Sequence, residues 1–332
     1  MIIEATGVGK TFKIYKKNPG FIGSFKSLFK REYENKSAVN SFDLSVNTGE
    51  IVGLLGPNGA GKTTIMKMFS GIIVPTCGDL KILGHQPFHR SIAFRKQIAL
   101  VMGQKSQLWW DLPSLDSFQL LQRYYEIDKK VFDQRVNELS ELLDVKKLLK
   151  VHVRRLSLGE RMKVELISCL LHQPKIIFLD EPTIGLDLIS QKKIREFLLE
   201  FHKKNRTTII VTSHYMADIE ALCPRVVLVV EGRKRFDGNL GDFEKVLGSS
   251  KIVSFTFSKA VSMQDDLWKD FQPKWSIEEF NVELNIPVEK VREVTASILH
   301  NYPVSDFSTG KLPIEKVMNT LMENPALMDD LP

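Results

Sequence analysis

The stretch of sequence best suited to chemistry is glycine-rich: Gly56-Pro57-Asn58-Gly59-Ala60-Gly61-Lys62-Thr63. It satisfies the pattern G-x-x-x-x-G-K-[ST], in which glycines let backbone N–H groups turn toward phosphate oxygens. In such a loop Lys62 supplies a charge for the β- and γ-phosphates, and the Thr63 hydroxyl binds Mg²⁺. An apolar run precedes the loop and apolar residues at helical spacing follow it, so a buried strand leads into a helix. This order predicts a nucleoside-triphosphate site, and we add Thr64 to its phosphate-binding residues.

A second set of polar residues follows two other apolar runs. Asp180 and Glu181 come directly after residues 175–179, and His214 comes shortly after residues 208–212. A carboxylate at the tip of a buried strand beside a phosphate loop can hold Mg²⁺, which suits Asp180. Glu181 would then lie next to the γ-phosphate and could polarise an attacking water as general base. The alternatives are two solvated acids and a structural histidine, but the position of His214 after a core strand makes it a candidate γ-phosphate sensor.

Alternating strands and helices must position these groups. Short β-branched runs separated by helical segments predict an α/β domain with a largely parallel sheet over residues 1–240. Residues 1–15 indicate an edge strand and a turn, and a helical subdomain is expected at about residues 105–165. The pattern then changes, which predicts a small α+β domain over residues 241–332. It lacks clustered His, Cys or catalytic-looking acids, so we expect a dimerisation or regulatory module.

The composition of the chain is typical of a globular protein without membrane-spanning segments or disulfides. The chain has 332 residues, of which 43% are hydrophobic and 26% charged, as in ordinary globular proteins. Its apolar runs are far too short to cross a bilayer, and no secretory signal is visible, so we expect a cytoplasmic protein. The three cysteines are widely spaced, odd in number and without a C-x-x-C pair, which predicts thiols rather than disulfides or a zinc site.

In their order along the chain, these motifs resemble the ATP-binding cassette of ABC transporters, from about residue 2 to residue 240. The resemblance identifies Gln104 with the Q-loop and implies a further Mg²⁺ contact there. It identifies Leu156-Ser157-Leu158-Gly159-Glu160 with the signature, residues 185–187 with the D-loop, and His214 with the switch histidine. The usual signature is Leu-Ser-Gly-Gly-Gln, so this chain departs from it at two positions. The two residues expected to meet the γ-phosphate, Ser157 and Gly159, are present.

The resemblance implies a mechanism that needs two cassettes. The signature of one subunit closes over the phosphate loop of the other, so that two ATP molecules, each with Mg²⁺, are enclosed in a head-to-tail dimer. This chain has one loop and one signature, so it needs a second cassette, most simply a second copy. The D-loop Asp187 is counted with the nucleotide-binding residues. The adenine is expected to stack on Phe12, with Tyr15 as the alternative.

The whole chain is most similar to the stand-alone ATPase subunits of bacterial exporters for drugs, antibiotics and other toxic compounds. That similarity implies separate integral membrane permease subunits and a peripheral position on the inner face of the cell membrane. Trp109 and Trp110 would suit an interface with the permease, although core packing is an equal alternative. An importer ATPase and a non-transport ABC ATPase remain alternatives. A catalytically dead cassette is disfavoured by the intact motifs, and no nucleic-acid partner is expected, because neither long coiled coils nor a second cassette is present.

A basic stretch separates the first two predicted strands. Residues 10–36 hold eight Lys or Arg residues and two Glu residues, whereas residues 241–332 hold nine basic and fifteen acidic residues. Within a predicted insertion at 16–36, apolar residues fall on one helical face, a pattern typical of interfacial helices. The basic stretch could face anionic lipid or nucleic acid, or it could be a solvated surface insertion. The apolar helical face could lie near lipid headgroups or the membrane partner, or it could simply pack on the domain.

Overall fold

A computed structural model of the chain describes residues 1–15, 33–103, 106–213, 215–244, 250–262, 268, 270–271, 273–276, 280–311 and 314–323. The chain divides into two compact units, residues 1–238 and 239–332. The sequence places the corresponding boundary at residue 240. Within the described ranges, none of the helices combines the length and the hydropathy needed to span a membrane.

The first unit is built on a sheet of six strands. These are β3 (Ile51–Leu55), β5 (Ile98–Met102), β6 (Ile176–Asp180), β7 (Thr208–Thr212), β8 (Arg225–Val230) and β9 (Arg233–Asn239). Their order is β5-β6-β7-β3-β8-β9, and the first five are paired in parallel. The side chains of the central strands β3 and β7 are buried on both faces, as the short apolar runs predict for a parallel sheet covered by helices. The predicted α/β fold is therefore confirmed.

A separate antiparallel sheet contains the N-terminal strands. Its members are β1 (Ile3–Tyr15), β2 (Tyr33–Val46) and β4 (Cys77–Ile82), in the order β2-β1-β4. The prediction that residues 1–15 form an edge strand is wrong, because Ile3 pairs with Val46 on one side and with Ile82 on the other. Residues 33–36 belong to β2 and not to an insertion. The predicted insertion helix lies in residues 16–32, outside the described residues.

Helices cover the sheets and form a separate group beyond β5. The helices of the first unit are α1 (Lys62–Phe69), α2 (Ile92–Arg95), α3 (Ser114–Tyr125), α4 (Lys129–Leu142), α5 (Leu158–Leu170), α6 (Leu188–Asn205) and α7 (Met216–Leu222). Short 3₁₀ turns occupy Pro87–His89, Lys146–Leu148 and Val153–Arg155. The predicted helical subdomain corresponds to α3, α4 and α5, although α5 continues past residue 165 to Leu170. Phe69 of α1 packs between Phe42 and Phe178, which joins the two sheets in one core.

The second unit is a small α+β structure. Its strands are β10 (Ser250–Phe257), β11 (Lys274–Trp275), β12 (Asn281–Pro287) and β13 (Val304–Lys311), in the antiparallel order β11-β12-β10-β13. Its helices are α8 (Leu240–Glu244), α9 (Val288–Asn301) and α10 (Ile314–Glu323). Trp268 is buried against Phe257 and Tyr302 in an aromatic core. All three cysteines of the chain are free thiols, as the sequence predicts.

Candidate functional site

The glycine-rich loop joins the end of β3 to the start of α1. Gly61 is the N-cap of α1 and has a left-handed backbone with φ of 104°, which glycine adopts without a steric penalty. A Cβ at Gly61 would lie 2.5 Å from the carbonyl oxygen of Ala38, so no larger residue fits there. The cap residue makes no side-chain hydrogen bond to the helix N-terminus. The first N–H groups of α1 are thus suited to bind an anion.

Lys62 places a buried ammonium group over this loop. Its Nζ donates hydrogen bonds to the carbonyl oxygens of Gly56, at 2.7 Å, and Pro57, at 2.9 Å. Burial lowers the pKa of Lys62, and the nearby carboxylates of Glu181 and Asp180 partly oppose this effect. The cation and the two carboxylates predicted from sequence are therefore brought together around the loop.

A hydroxyl and a carboxylate meet where α1 and β6 approach each other. Thr63 Oγ1 donates a hydrogen bond to Asp180 Oδ1 at 3.2 Å, and Thr212 Oγ1 donates to the same oxygen at 2.7 Å. Hydroxyl and carboxylate oxygens are the ligands that Mg²⁺ prefers. Sequence reasoning missed Thr212 as a neighbour of this site. It lies opposite Asp180 in the β6–β7 register, and that pairing is visible only once the strand order is known.

Glu181 follows the end of β6 with a left-handed backbone, at φ of 56°. Its N–H donates to the carbonyl oxygen of Thr212 at 3.0 Å. Gly103 packs against the other side of Glu181, because a Cβ at Gly103 would lie 2.1 Å from the Glu181 carbonyl oxygen. The turn that carries Glu181 is thus held between the ends of β5 and β7.

The loop and Glu181 face a solvent-open cleft with an empty volume of about 840 Å³. Its lining is Phe12, Lys36, Ala38, Asn58, Gly59, Ala60, Gly61, Lys62, Thr63, Thr64 and Glu181. Phe12 therefore lies beside the phosphate loop, and the ammonium of Lys10 lies 5.3 Å from its ring centroid. Tyr15 pairs with Tyr33 at the end of β1. The predicted insertion includes Lys36, but this residue pairs with Phe12 in the sheet and adds a cation to the cleft wall.

Two predicted site residues, Gln104 and His214, lie outside the described residues. The residues beside them in the chain are described. The Gly103 N–H donates to the Asp180 carbonyl oxygen at 2.9 Å, and Ser213 Oγ donates to Asp218 at 2.6 Å.

The signature residues lie against the start of α6, which the D-loop precedes, and the described lining of the cleft does not include them. Ser157 caps α5, where its Oγ accepts from the Glu160 N–H at 3.3 Å and its own N–H donates to the Glu160 carboxylate at 2.9 Å. A Cβ at Gly159 would lie 2.7 Å from Ser190 Oγ. Asp187 caps α6 by accepting from the Ser190 N–H at 2.9 Å, and hydrogen bonds from Ser190 hold the pKa of Asp187 below its usual range. These three predicted residues are absent from the described lining of the cleft.

Trp109 and Trp110 are surface residues, with exposed fractions of 47% and 52%. The alternative that they form core packing is therefore wrong. The Arg161 guanidinium of α5 lies 5.1 Å from the ring centroid of Trp110. This cation–π contact orients one of the two rings at the surface.

Comparisons with known proteins identify a family and relatives for this chain. Residues 39–184 match the family described as ABC transporter. The ABC transporter ATP-binding protein NatA of Bacillus subtilis (strain 168) is 31% identical over 235 residues, which cover 70% of this chain and 95% of the relative. The daunorubicin resistance ATP-binding protein of Streptomyces coeruleorubidus is 30% identical over 222 residues, which cover 67% of this chain and 70% of the relative.

Among solved structures, the fold is similar to a dimeric ATP-binding cassette in a post-hydrolysis state, bound to ADP and Pi. The TM-score is 0.60 at 22% identity, and the match covers 72% of this chain and 98% of that one.

Proposed function

This chain belongs to the ABC transporter family as an ATP-binding ATPase, and we propose that it powers export through separate membrane permease subunits. The observation that carries the catalytic part is the cleft that brings the phosphate loop, Lys62 and Glu181 together. Support for export comes from the similarity to a relative named for daunorubicin resistance. Resistance is what an export motor for a toxic compound would give its host.

We assign the phosphates of ATP to the loop of residues 56–64 and the adenine to Phe12. The oxygens of Thr63 and Asp180 fit a Mg²⁺ ion, and Gln104 is the third proposed contact. When bound, Mg²⁺ neutralises charge on the β- and γ-phosphates. Glu181 accepts a proton from the water whose oxygen bonds to the γ-phosphorus, while the bond to the β–γ bridging oxygen breaks and ADP leaves.

The signature requires a second cassette. Because Ser157, Gly159 and Asp187 lie away from the described lining of their own cleft, we propose that they contact the nucleotide held by a partner, most simply a second copy. His214 is the proposed γ-phosphate sensor of the same site. The second unit, residues 239–332, is proposed as a dimerisation or regulatory module.

The permease contact is assigned to residues 106–113, here called the docking segment. Its two exposed indole rings offer an aromatic anchor of the kind that carries most of the energy in protein interfaces. The proposed occupant is an exposed helix of the permease, which would hold this chain at the cytoplasmic surface of the membrane.

A tagged pull-down from detergent-solubilised host membranes tests this assignment. A multispanning membrane protein should copurify with the full chain and should be lost when Trp109 and Trp110 are both replaced by Ala. Phe307→Ala is the control, because Phe307 has a similar exposed fraction of 45% but lies in the second unit. Copurification of ribosomal or DNA-associated proteins in place of a membrane protein would reject the transport role.

Direction of transport needs a separate test. A host whose only copy carries Glu181→Gln should become more sensitive to at least one member of a panel of amphipathic antibiotics and dyes, and should accumulate it. Copurification of an extracellular solute-binding protein, with reduced uptake of a nutrient in the mutant host, would indicate an importer instead.

A further inference from the structure

Glu165 is a buried carboxylate that the catalytic proposal does not use. It lies on α5, about two turns beyond Ser157 of the signature, and only 3% of the residue is exposed. Its Oε2 accepts a hydrogen bond from Ser106 Oγ at 2.8 Å, and its Oε1 accepts one from the backbone N–H of Gln107. Burial raises the pKa of Glu165, while the hydrogen bonds from Gln107 and Ser106 favour the charged form. The carboxylate thus fixes the start of the docking segment to the signature helix.

Other contacts hold the same segment to α5 and to the turn before it. Arg161 precedes Glu165 by one helical turn, so both side chains lie on one face of α5. The Arg161 guanidinium covers the Trp110 ring, and the backbone N–H of Arg154 donates to the Trp110 carbonyl oxygen at 3.1 Å. Arg154 also pairs with Asp111 at 2.8 Å. The two hydrogen bonds that Glu165 accepts from Ser106 and Gln107 are made by a buried carboxylate. The Arg154–Asp111 ion pair is largely exposed and therefore weak.

We propose that Glu165 is a positioning residue that makes the docking segment and the signature helix move as one body. A displacement of the two indole rings by the permease would then carry Ser157 and Gly159 with it. The distance along the helix from Glu165 to Ser157 is about 12 Å at ~1.5 Å per residue, and a continuous helix transmits such a shift with little bending. This inference rests on the proposed permease contact, and it adds the connection between that contact and the catalytic dimer.

A carboxylate is the side chain that this junction requires. Two donors, a hydroxyl and a backbone N–H, approach its two oxygens from one loop. Gln has one acceptor oxygen and can accept from only one of the two donors in this geometry, while Ala accepts from neither. Glu165→Ala should therefore weaken the junction more than Glu165→Gln does, and the native Glu should hold it most firmly.

Amide hydrogen exchange on the isolated full chain tests the junction. The Gln107 amide should exchange at least about tenfold faster in Glu165→Ala than in the native chain, with Glu165→Gln between them. Glu141→Ala is the matched control, because Glu141 is an exposed carboxylate of α4 paired with Lys146 at 2.8 Å. If the Gln107 amide of Glu165→Ala exchanged at the native rate, the proposed junction would be overturned, whether or not a permease binds.

Steady-state ATPase kinetics of the copurified permease complex test the transmission. Glu165→Ala should lower kcat at least about fivefold and change KM for ATP less than twofold, because ATP binds the loop while turnover needs the signature. Glu165→Gln should restore part of kcat, and it replaces the Ala variant if that one fails to fold. If Glu165→Ala showed fast exchange of the Gln107 amide but a native kcat, the proposed transmission would be overturned. Equal changes in kcat and KM that are not rescued in Glu165→Gln would overturn it as well. If no permease copurifies with the native chain, the proposed function fails, and the exchange result alone still decides the junction.

Discussion

Replacement of Asp218 should lower the free energy of unfolding of the first unit by more than replacement of any exposed residue does. Asp218 of α7 is fully buried and accepts hydrogen bonds from three separate segments. Its Oδ1 accepts from Arg195 of α6 at 2.7 Å, and its Oδ2 accepts from Ser213 at 2.6 Å and from Thr183. The turn after Glu181, the end of β7 and helix α6 therefore all depend on this one carboxylate.

The size of the effect follows from what Asp218→Ala leaves behind. The Arg195 side chain, only 16% exposed, would lose its counter-charge, and the buried hydroxyls of Thr183 and Ser213 would lose their acceptor. Removal of one partner from a buried ion pair destabilises a protein by about 3–5 kcal/mol. Asp218→Asn keeps the shape and one acceptor oxygen, so the loss of unfolding free energy should be about 1–3 kcal/mol, the range for a buried polar group left without a hydrogen-bond partner.

Urea unfolding of the full chain, followed by far-ultraviolet circular dichroism, measures both losses as shifts in the midpoint at a constant slope. The control is Asp133→Ala on α4, which removes an exposed carboxylate paired with Lys129 at 3.0 Å and should leave the midpoint unchanged. If Asp218→Ala unfolded at the same urea concentration as Asp133→Ala, the buried carboxylate would not stabilise the unit and the reasoning would be refuted.

Three other substitutions test the site and the stability of the first unit. Glu181→Gln should retain ATP binding but lower the hydrolysis rate by about 10²–10⁴, measured by phosphate release; a native rate would exclude Glu181 as the base. Gly103→Ala should lower kcat, because its Cβ would lie 2.1 Å from the Glu181 carbonyl oxygen, whereas the unobstructed Gly310→Ala should not; equal rates for the two variants would contradict the packing argument. Burial raises the pKa of Asp237, but hydrogen bonds led by Arg225 outweigh it and hold that pKa below its usual value. The ionised Asp237 therefore contributes its full stabilisation above the unfolded pKa of about 4, and this stabilisation is lost as pH falls through the folded pKa. Asp237→Asn should lower the urea midpoint at pH 7 and reduce the fall of that midpoint as the pH is lowered. An unchanged fall of the midpoint at acid pH would count against the Asp237–Arg225 pair.

The local chemistry of the cleft was predictable from the sequence. The phosphate loop is a contiguous motif, and its position between an apolar strand and a helix is visible in the residues themselves. Asp180 and Glu181 were likewise predictable, because they end an apolar run of strand length. Local patterns suffice where every residue of a feature lies within one element or one turn.

Features that depend on pairing between distant segments were not predictable. The apolar residues within 1–15 indicate a strand, but they do not say whether one or two neighbours flank that strand. Lys36 enters the cleft wall only because it pairs with Phe12 across the antiparallel sheet. Glu165 looks like one more acid on a helix until the loop carrying Ser106 is seen to turn back onto α5.

The order of the parallel strands explains why residues so far apart in the sequence form one site. The neighbours β5, β6 and β7 end side by side, and the residue that follows one strand donates a hydrogen bond to the last residue of the next strand. The Gly103 N–H reaches the Asp180 carbonyl at 2.9 Å, and the Glu181 N–H reaches the Thr212 carbonyl at 3.0 Å. Because β3 pairs with the far side of β7, the loop that follows β3 arrives over the same edge and brings Thr63 to Asp180. A shift at any one of these strand ends would therefore displace Glu181, the proposed general base, together with the proposed Mg²⁺ oxygens, as expected for a site that closes as a unit when the proposed second cassette docks.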